Sequence, residues 1–530
     1  MHQKISVRSQ VQTWFRLFIF GLVVLAGSQF TLAQTRQAQA FTIDQIQANI
    51  RQAVSYEALE KSSSGLVMKG EAVYVGVDHT FELAWTPDGK FREQLSGRLP
   101  VSTGFDGQLT WTTDWSGLAY TTTLEDRETS QLEYWLRTFH WLAPKAQVEI
   151  RTIADQTTPE QIALGVKIKQ GLTEATVLID RKTWLPSSFK YGVAGPPQTW
   201  KLQEYKSVQG INFPHLVENT IRGLVNSYKL KTLVPLETKN GKQFEYRQTI
   251  PDDTTWSGAS PTIEMKRTRT GHYLVHPRIN GKDVGWFIFD SGAGSMVISK
   301  TVARELELPT FGQIPVGGVG GYTQSALCQG KLFELGPISI HRTTYLEYDF
   351  GQLSAIFGEK IAGICGFDLF TRAIVALDSK SNQIEIHNPA KFELTQAEWR
   401  EMLIIDRHPH VRCRFEGDRE GVFKIDTGAN STVIFTTQAV ESFKLLESRK
   451  TESGRSGGVG GTVETRNGQI EWIEFGGQRF ANQPALFSQA REGALSNPYL
   501  TGVVGAPLLE PFKVFFHYGG RKIAFVQKTK

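Results

Sequence analysis

The chain carries one stretch of sequence twice, and like sequences fold into like lobes. Val275-His276-Pro277-Arg278-Ile279-Asn280-Gly281 runs through Trp286-Phe287-Ile288-Phe289 into Asp290-Ser291-Gly292-Ala293. Further on, Val411-Arg412-Cys413-Arg414-Phe415-Glu416-Gly417 runs through Val422-Phe423-Lys424-Ile425 into Asp426-Thr427-Gly428-Ala429. Each copy reads as strand, glycine turn, strand and acidic loop. Ser295-Met296-Val297-Ile298 then matches Ser431-Thr432-Val433-Ile434, and helix-like stretches follow at Lys300 to Leu308 and Thr437 to Leu446. Gly317-Gly318-Val319-Gly320-Gly321 is repeated as Gly457-Gly458-Val459-Gly460-Gly461, and Gly363-Ile364-Cys365-Gly366 is answered by Gly502-Val503-Val504-Gly505. The acidic loops lie 136 positions apart (290 to 426), and the closing glycines 139 (366 to 505). Matched landmarks in one order make this a duplication, with lobes at 262–390 and 398–530.

Residues 41–250 have another texture. A helix-like start at Phe41 to Ala58 is followed by short alternating segments such as Gly70 to Val77, Thr80 to Trp85, Gln108 to Thr113 and Ala175 to Ile179. Trp111, Trp115, Trp135 and Trp141 read as core or groove lining. Pro251 to Pro261, rich in Asp, Thr, Ser and Gly, reads as a linker. Ahead of all this, Lys4, Arg8 and Arg16 precede the apolar run Leu17 to Gly27, which leads to Thr31-Leu32-Ala33. That is the pattern of a secretory signal at 1–33, with Ala38-Gln39-Ala40 as a second cleavage candidate and an uncleaved membrane anchor as the other reading. The expected location is therefore outside the cytoplasm, periplasmic or extracellular.

Charge and cysteines narrow the function. Removing residues 1–33 would leave 55 basic against 53 acidic side chains, and the basic ones are scattered, which argues against a nucleic-acid surface. Cys328, Cys365 and Cys413 are too few for a disulfide framework, although one bridge between Cys328 and Cys365 is conceivable. No Cys/His cluster has metal spacing, so neither metal nor cofactor is expected; His408 and His410 read as solvated residues of a turn.

The chemistry-bearing residues are the two acids. Like charges about 3 Å apart cannot both ionise comfortably, so two carboxylates held that close share one proton. The ionised partner can take a proton from water while the protonated one gives its proton to a peptide carbonyl. Gly292 and Gly428 would let the two backbones approach closely, and the Ser291 and Thr427 hydroxyls could bond across to the opposite loop. The pair titrates as a unit, and sequence alone assigns neither role to one residue. The glycine pentapeptides (Gly317, Gly318, Gly320, Gly321 and Gly457, Gly458, Gly460, Gly461) suit hairpin tips closing over an extended peptide; plain loops are the other reading.

These residues resemble the retropepsin-like branch of the aspartic peptidases. Asp-Ser-Gly-Ala and Asp-Thr-Gly-Ala match its Asp-[Ser/Thr]-Gly motif, the glycine pentapeptides resemble its flap, and Ile364-Cys365-Gly366 and Val503-Val504-Gly505 its second signature. The resemblance covers 262–530 and implies a mainly β fold: two closed β lobes about a pseudo-twofold axis, a retroviral-type dimer fused in one polypeptide and monomeric. It implies an endopeptidase acting on extended or unfolded chains. Residues 41–250 resemble the open, curved antiparallel β-sheet of outer-membrane lipoprotein carrier-like domains, which implies a lipid or other apolar ligand there. Where pepsin-like enzymes often carry a hydroxyl residue after the motif, this chain has Ala293 and Ala429. With no hydroxyl to favour the charged form, the dyad should hold its proton to less acidic pH. The competing reading is a non-catalytic envelope binding protein for a lipid, an acyl chain or a partner protein.

Overall fold

The computed structural model describes residues 41–528 apart from 63, 194–196, 238–240, 250, 320 and 459. The signal-sequence expectation at 1–33 thus lies outside the described residues. From Thr42 onward the chain forms one unit.

Thirteen antiparallel strands make the N-terminal sheet. Its first strand, Leu66–Tyr74, lies mid-sheet because the last, Leu224–Pro235, returns to pair with it, from Leu66↔Pro235 to Val73↔Ser227. The helix Leu124–Arg137 buries Leu132, Trp135 and Leu136. At its end Arg137 is buried with Glu93 (2.6 Å) and Glu133 (3.2 Å). A guanidinium there is tolerable only because both carboxylates are held beside it.

Each lobe is an eight-stranded sheet, and the two sheets have the same strand order. In the first, Trp286–Phe289 runs parallel to Ile361–Cys365, which pairs antiparallel with Val297–Ser299, which in turn runs parallel to Thr344–Tyr348. In the second, Arg419–Asp426, Gly502–Gly505, Val433–Phe435 and Gln478–Ser488 repeat that pattern. The helices that follow the acidic loops, Lys300–Glu305 and Thr437–Ser442, are capped by the Ser299 and Thr436 side chains. A six-stranded sheet joins the lobes: Ile374–Asp378 of the first pairs antiparallel with Phe512–His517 of the second, Val375 facing Phe516.

Three expectations need correction. Within the stretch read as linker, Thr254–Trp256 is a strand paired with Ile338–His341 of the first lobe; two threonines and a tryptophan suit a pleated edge. The three cysteines are buried free thiols, so no Cys328–Cys365 bridge forms. His408 and His410 lie on the strand His408–Phe415, with His410 only 1% exposed. By alternation His410 shares a face with the exposed Arg412 and Arg414, and it is buried where that face meets Lys424 of the adjacent strand.

The N-terminal sheet packs on the first lobe's glycine hairpin. The Gln313 amide donates to the Val75 carbonyl (2.9 Å) and Gln324 to the Arg222 carbonyl (2.9 Å). The Arg222 guanidinium lies 3.4 Å above the Tyr322 ring, and Arg98 lies 3.6 Å above Phe311.

Candidate active site

Both acidic loops leave buried strands. Phe287 and Phe289 in one lobe, Phe423 and Ile425 in the other, point into the core and are 0% exposed. Alternation therefore turns Asp290 and Asp426 the other way, toward the space between the lobes. The loops are pinned from behind. The Asp290 amide donates to the Cys365 carbonyl (3.0 Å), Phe367 donates to Ala293 (2.9 Å), and Ala506 donates to Ala429 (2.8 Å). Asp368 accepts the Met296 amide at 2.8 Å.

Ser291 and Thr427 cross between the lobes. The Ser291 amide donates to Thr427 Oγ1 (2.9 Å), and the Thr427 amide to Ser291 Oγ (3.0 Å). Each hydroxyl then donates onward, Ser291 to the Ile425 carbonyl (2.9 Å) and Thr427 to the Phe289 carbonyl (3.0 Å). Every polar group in this buried knot is satisfied. Gly292 and Gly428 serve a closer approach than backbone against backbone. A Cβ on Gly292 would sit 2.3 Å from the Asp426 carboxyl carbon, and one on Gly428 2.6 Å from that of Asp290.

Each carboxyl lies against the glycine of the opposite loop, and the two are not equivalent. Burial, then the charge of Asp426, push Asp290 up to about 7. Burial acts on Asp426 too, but Lys424, His408 and the Gly428 amide together outweigh it, and Asp426 is held below the ordinary carboxylate range. Lys424 Nζ lies 2.8 Å from Asp426 Oδ2, while Oδ1 accepts the Gly428 amide at 2.9 Å. In the first lobe, Asp290 Oδ1 accepts the Gly292 amide at 2.7 Å, and the residue two places before the acid is the apolar Ile288.

Two histidines flank the pair. His272 hydrogen-bonds to the Gly428 backbone, and burial lowers its pKa. His408 has ring atoms 3.5 Å from where a Cβ on Gly294 would lie; burial and then Lys424 lower its pKa. Sequence reasoning passed over Lys424 and His272 and misread His408 as solvated. Yet the repeat offset of 136 that links the acids also links His272 to His408, and it sets Lys424 against Ile288.

The glycine pentapeptides form hairpin tips. Gly318 pairs with Gly321 and Gly458 with Gly461; Gly317 faces Tyr322 and Gly457 faces Thr462. Gly320 lies outside the described residues. The tips meet: a Cβ on Gly460 would sit 2.6 Å from the Gly321 carbonyl oxygen. Val319 of the first hairpin packs against the second lobe's apolar cluster of Ile434, Ala490, Leu495 and Val503.

Two segments, 275–369 and 411–508, match one family, described as aspartyl protease. Both lobes are aspartyl protease-like. Each match spans one copy of the repeat and contains one of the two acids. Among solved structures, a retropepsin-like aspartic protease from Rickettsia conorii is 20% identical over 20% of this chain and 78% of its own, with a TM-score of 0.16. A LolA superfamily protein from Nitrosomonas europaea is 10% identical over 36% of this chain and 98% of its own, with a TM-score of 0.27. A DUF1329 family protein from Desulfovibrio piger is 11% identical over 38% of this chain and 97% of its own, with a TM-score of 0.28. No curated protein sequence matches the chain.

Outside the aspartyl protease-like lobes, the N-terminal domain also reaches the surroundings of the pair. The Asp406 amide donates to Asp126 (2.7 Å), Arg407 lies 5.0 Å from the Trp115 ring, and Arg407 donates to Ser295 at 3.4 Å.

Proposed function

We propose that this chain is an aspartic endopeptidase. The observation that carries the reading is the crossed Ser291–Thr427 bonding, which holds two carboxyls, each against the opposite loop's glycine, that differ in proton affinity. Asp290, with its pKa pushed up to about 7, carries the shared proton and donates it to the scissile carbonyl oxygen. Asp426 stays ionised and takes a proton from the attacking water. The hairpin tips cover an extended substrate and exclude solvent. A dyad that keeps its proton to near pH 7 favours activity at mildly acidic to neutral pH, in keeping with Ala293 and Ala429. We read the chain as exported, on the strength of its N-terminal sequence.

The test is hydrolysis of an unfolded protein between roughly pH 3 and 8, the range a shared proton spans, by wild type, Asp290→Asn and Asp426→Asn. Cleavage lost in each variant supports the dyad. Cleavage that survives either substitution refutes it.

A second reading concerns residues 41–250. A pocket of 280 Å³ lies between the helix Tyr56–Lys61, Trp85 and the turn His140–Leu142, with Leu59 and Leu66 in its wall. Such a pocket suits an apolar chain, and organic extraction followed by mass spectrometry tests for one.

A further inference from the structure

We propose that Lys424 is a specificity-determining residue that selects substrates with an acidic side chain next to the scissile bond. The inference rests on the peptidase reading above.

Lys424 and Asp426 are two apart on one strand, so their side chains share a face. Both are 15% exposed, and Nζ lies 2.8 Å from Asp426 Oδ2. Oδ1 is already taken by the Gly428 amide, so the ammonium occupies the oxygen that remains to accept a proton from water. While it stays there, Asp426 is a poor base.

The groups around the ammonium are few. Asp426 is on its own strand, Asp290 faces it from the other lobe, His410 faces it in register from the adjacent strand, and Asp406 and His408 lie on the preceding turn and strand. Burial opposes charge on Lys424, but Asp426 outweighs burial and the side chain stays an ammonium. A buried ammonium whose main partner is the reactive carboxylate gains from a second anion. A Glu or Asp of the substrate, seated in the adjoining subsite, supplies that anion. It draws Nζ off Oδ2 and restores the basicity of Asp426.

The opposite lobe lacks this device. Ile288 stands at the matching place, packed among Leu274, Phe350, Phe357, Ile361 and Ile364. The two sides of the dyad therefore differ: an ammonium lies beside one acid and a buried core residue stands at the matching place beside the other. The expected substrate has an acidic residue on one side of the cut.

The experiment compares peptides that carry Glu or its neutral isostere Gln at each position flanking the cut, with wild type, Lys424→Met and Lys424→Arg. Near pH 6, where the substrate carboxyl is ionised, wild type should favour Glu over Gln at one flanking position by at least about 10-fold in kcat/KM. Lys424→Met should bring that ratio close to one and improve cleavage of the Gln peptide; Lys424→Arg should keep the preference. A wild-type ratio near one, an unchanged ratio in Lys424→Met, or a folded Lys424→Met that cuts neither peptide would overturn the proposal. If Lys424→Met does not fold, loss of the preference in Lys424→Arg overturns it and retention supports it. Binding of uncleavable reduced-amide versions of the same peptides, measured by calorimetry, separates the two readings. Glu-selective binding that depends on Lys424, without cleavage of any peptide, would sink the peptidase reading alone. Cleavage without Glu selectivity would sink this one alone.

Discussion

Ser291 and Thr427 each accept the other's backbone amide, at 2.9 and 3.0 Å, and each passes its own proton to a strand carbonyl of the opposite lobe. Four hydrogen bonds thus cross a buried interface through two side chains. Ser291→Ala would leave the Thr427 amide and the Ile425 carbonyl without partners in the interior. The expected cost is about 1–3 kcal/mol of stability. A shift of the carboxyls by a fraction of an ångström should also slow cleavage by roughly 10- to 100-fold. Thermal melts and initial rates check both.

Gly428→Ala places a methyl group 2.6 Å from the Asp290 carboxyl carbon. No rearrangement within one loop relieves that, because Asp290 is itself held by the Gly292 amide. Cleavage should fall by about 100-fold or more, with a lower melting temperature of the chain as a whole. Differential scanning calorimetry alongside a rate assay reports the two effects separately.

The raised pKa of Asp290 has a consequence for stability. The folded value of about 7 lies above the 3.8 of an unperturbed carboxyl, so the protonated form is favoured by folding. That stability is complete below the unfolded value and is lost as pH rises through about 7. Asp290→Asn mimics the protonated state and should melt at a higher temperature than wild type at pH 8, but not at pH 4. Asp426→Asn should do the opposite at neutral pH, because it strands the Lys424 ammonium.

The contact of the N-terminal domain with the second lobe should also respond to pH. Burial and then Asp406 push Glu125 up to about 7, and the same two causes raise Asp126. Both groups favour the docked arrangement when protonated, so docking weakens as pH climbs through about 7. Hydrogen exchange at 124–128 and 403–408 should be slower at pH 5 than at pH 8 after correction for intrinsic rates. Glu125→Gln should reduce the difference.

The two glycine hairpins are braced unequally. The first, Thr310–Gly318 with Gly321–Gln329, is held by Val75, Arg98 and Arg222 of the N-terminal domain. The second, Glu452–Gly458 with the start of Gly461–Phe475, is largely exposed. Opening should therefore occur on the second side. Amides of 452–467 should exchange faster than those of 310–329, and the reverse order would refute the asymmetry.

Much of the lobes was legible because duplication prints the same constraints twice. The strand before each acid, the glycine after it and the closing apolar-apolar-Gly triplet are local features with local causes. The crossed hydroxyls could be anticipated from Ser291 and Thr427 alone. Lys424 was visible as a mismatch with Ile288, but its meaning needed the distance to Asp426. The role of His272 and His408 depends on loops of the opposite lobe, which no local pattern reveals. The bracing of one hairpin joins Val75 to Gln313 and Arg222 to Tyr322, pairs far apart in sequence with no shared motif. The short strand Thr254–Trp256 inside the linker was not legible because three residues are too short to show alternation.

The joining sheet bears on when the two acids can be held together during synthesis. Ile374–Asp378 and Phe512–His517 are neighbours across the lobes, yet the second of these strands is translated well after both Asp290 and Asp426. A ribosome therefore releases both acids long before it releases the strand that clamps them face to face. Until then the nascent chain holds two half-sites whose lobes are not yet joined by this sheet.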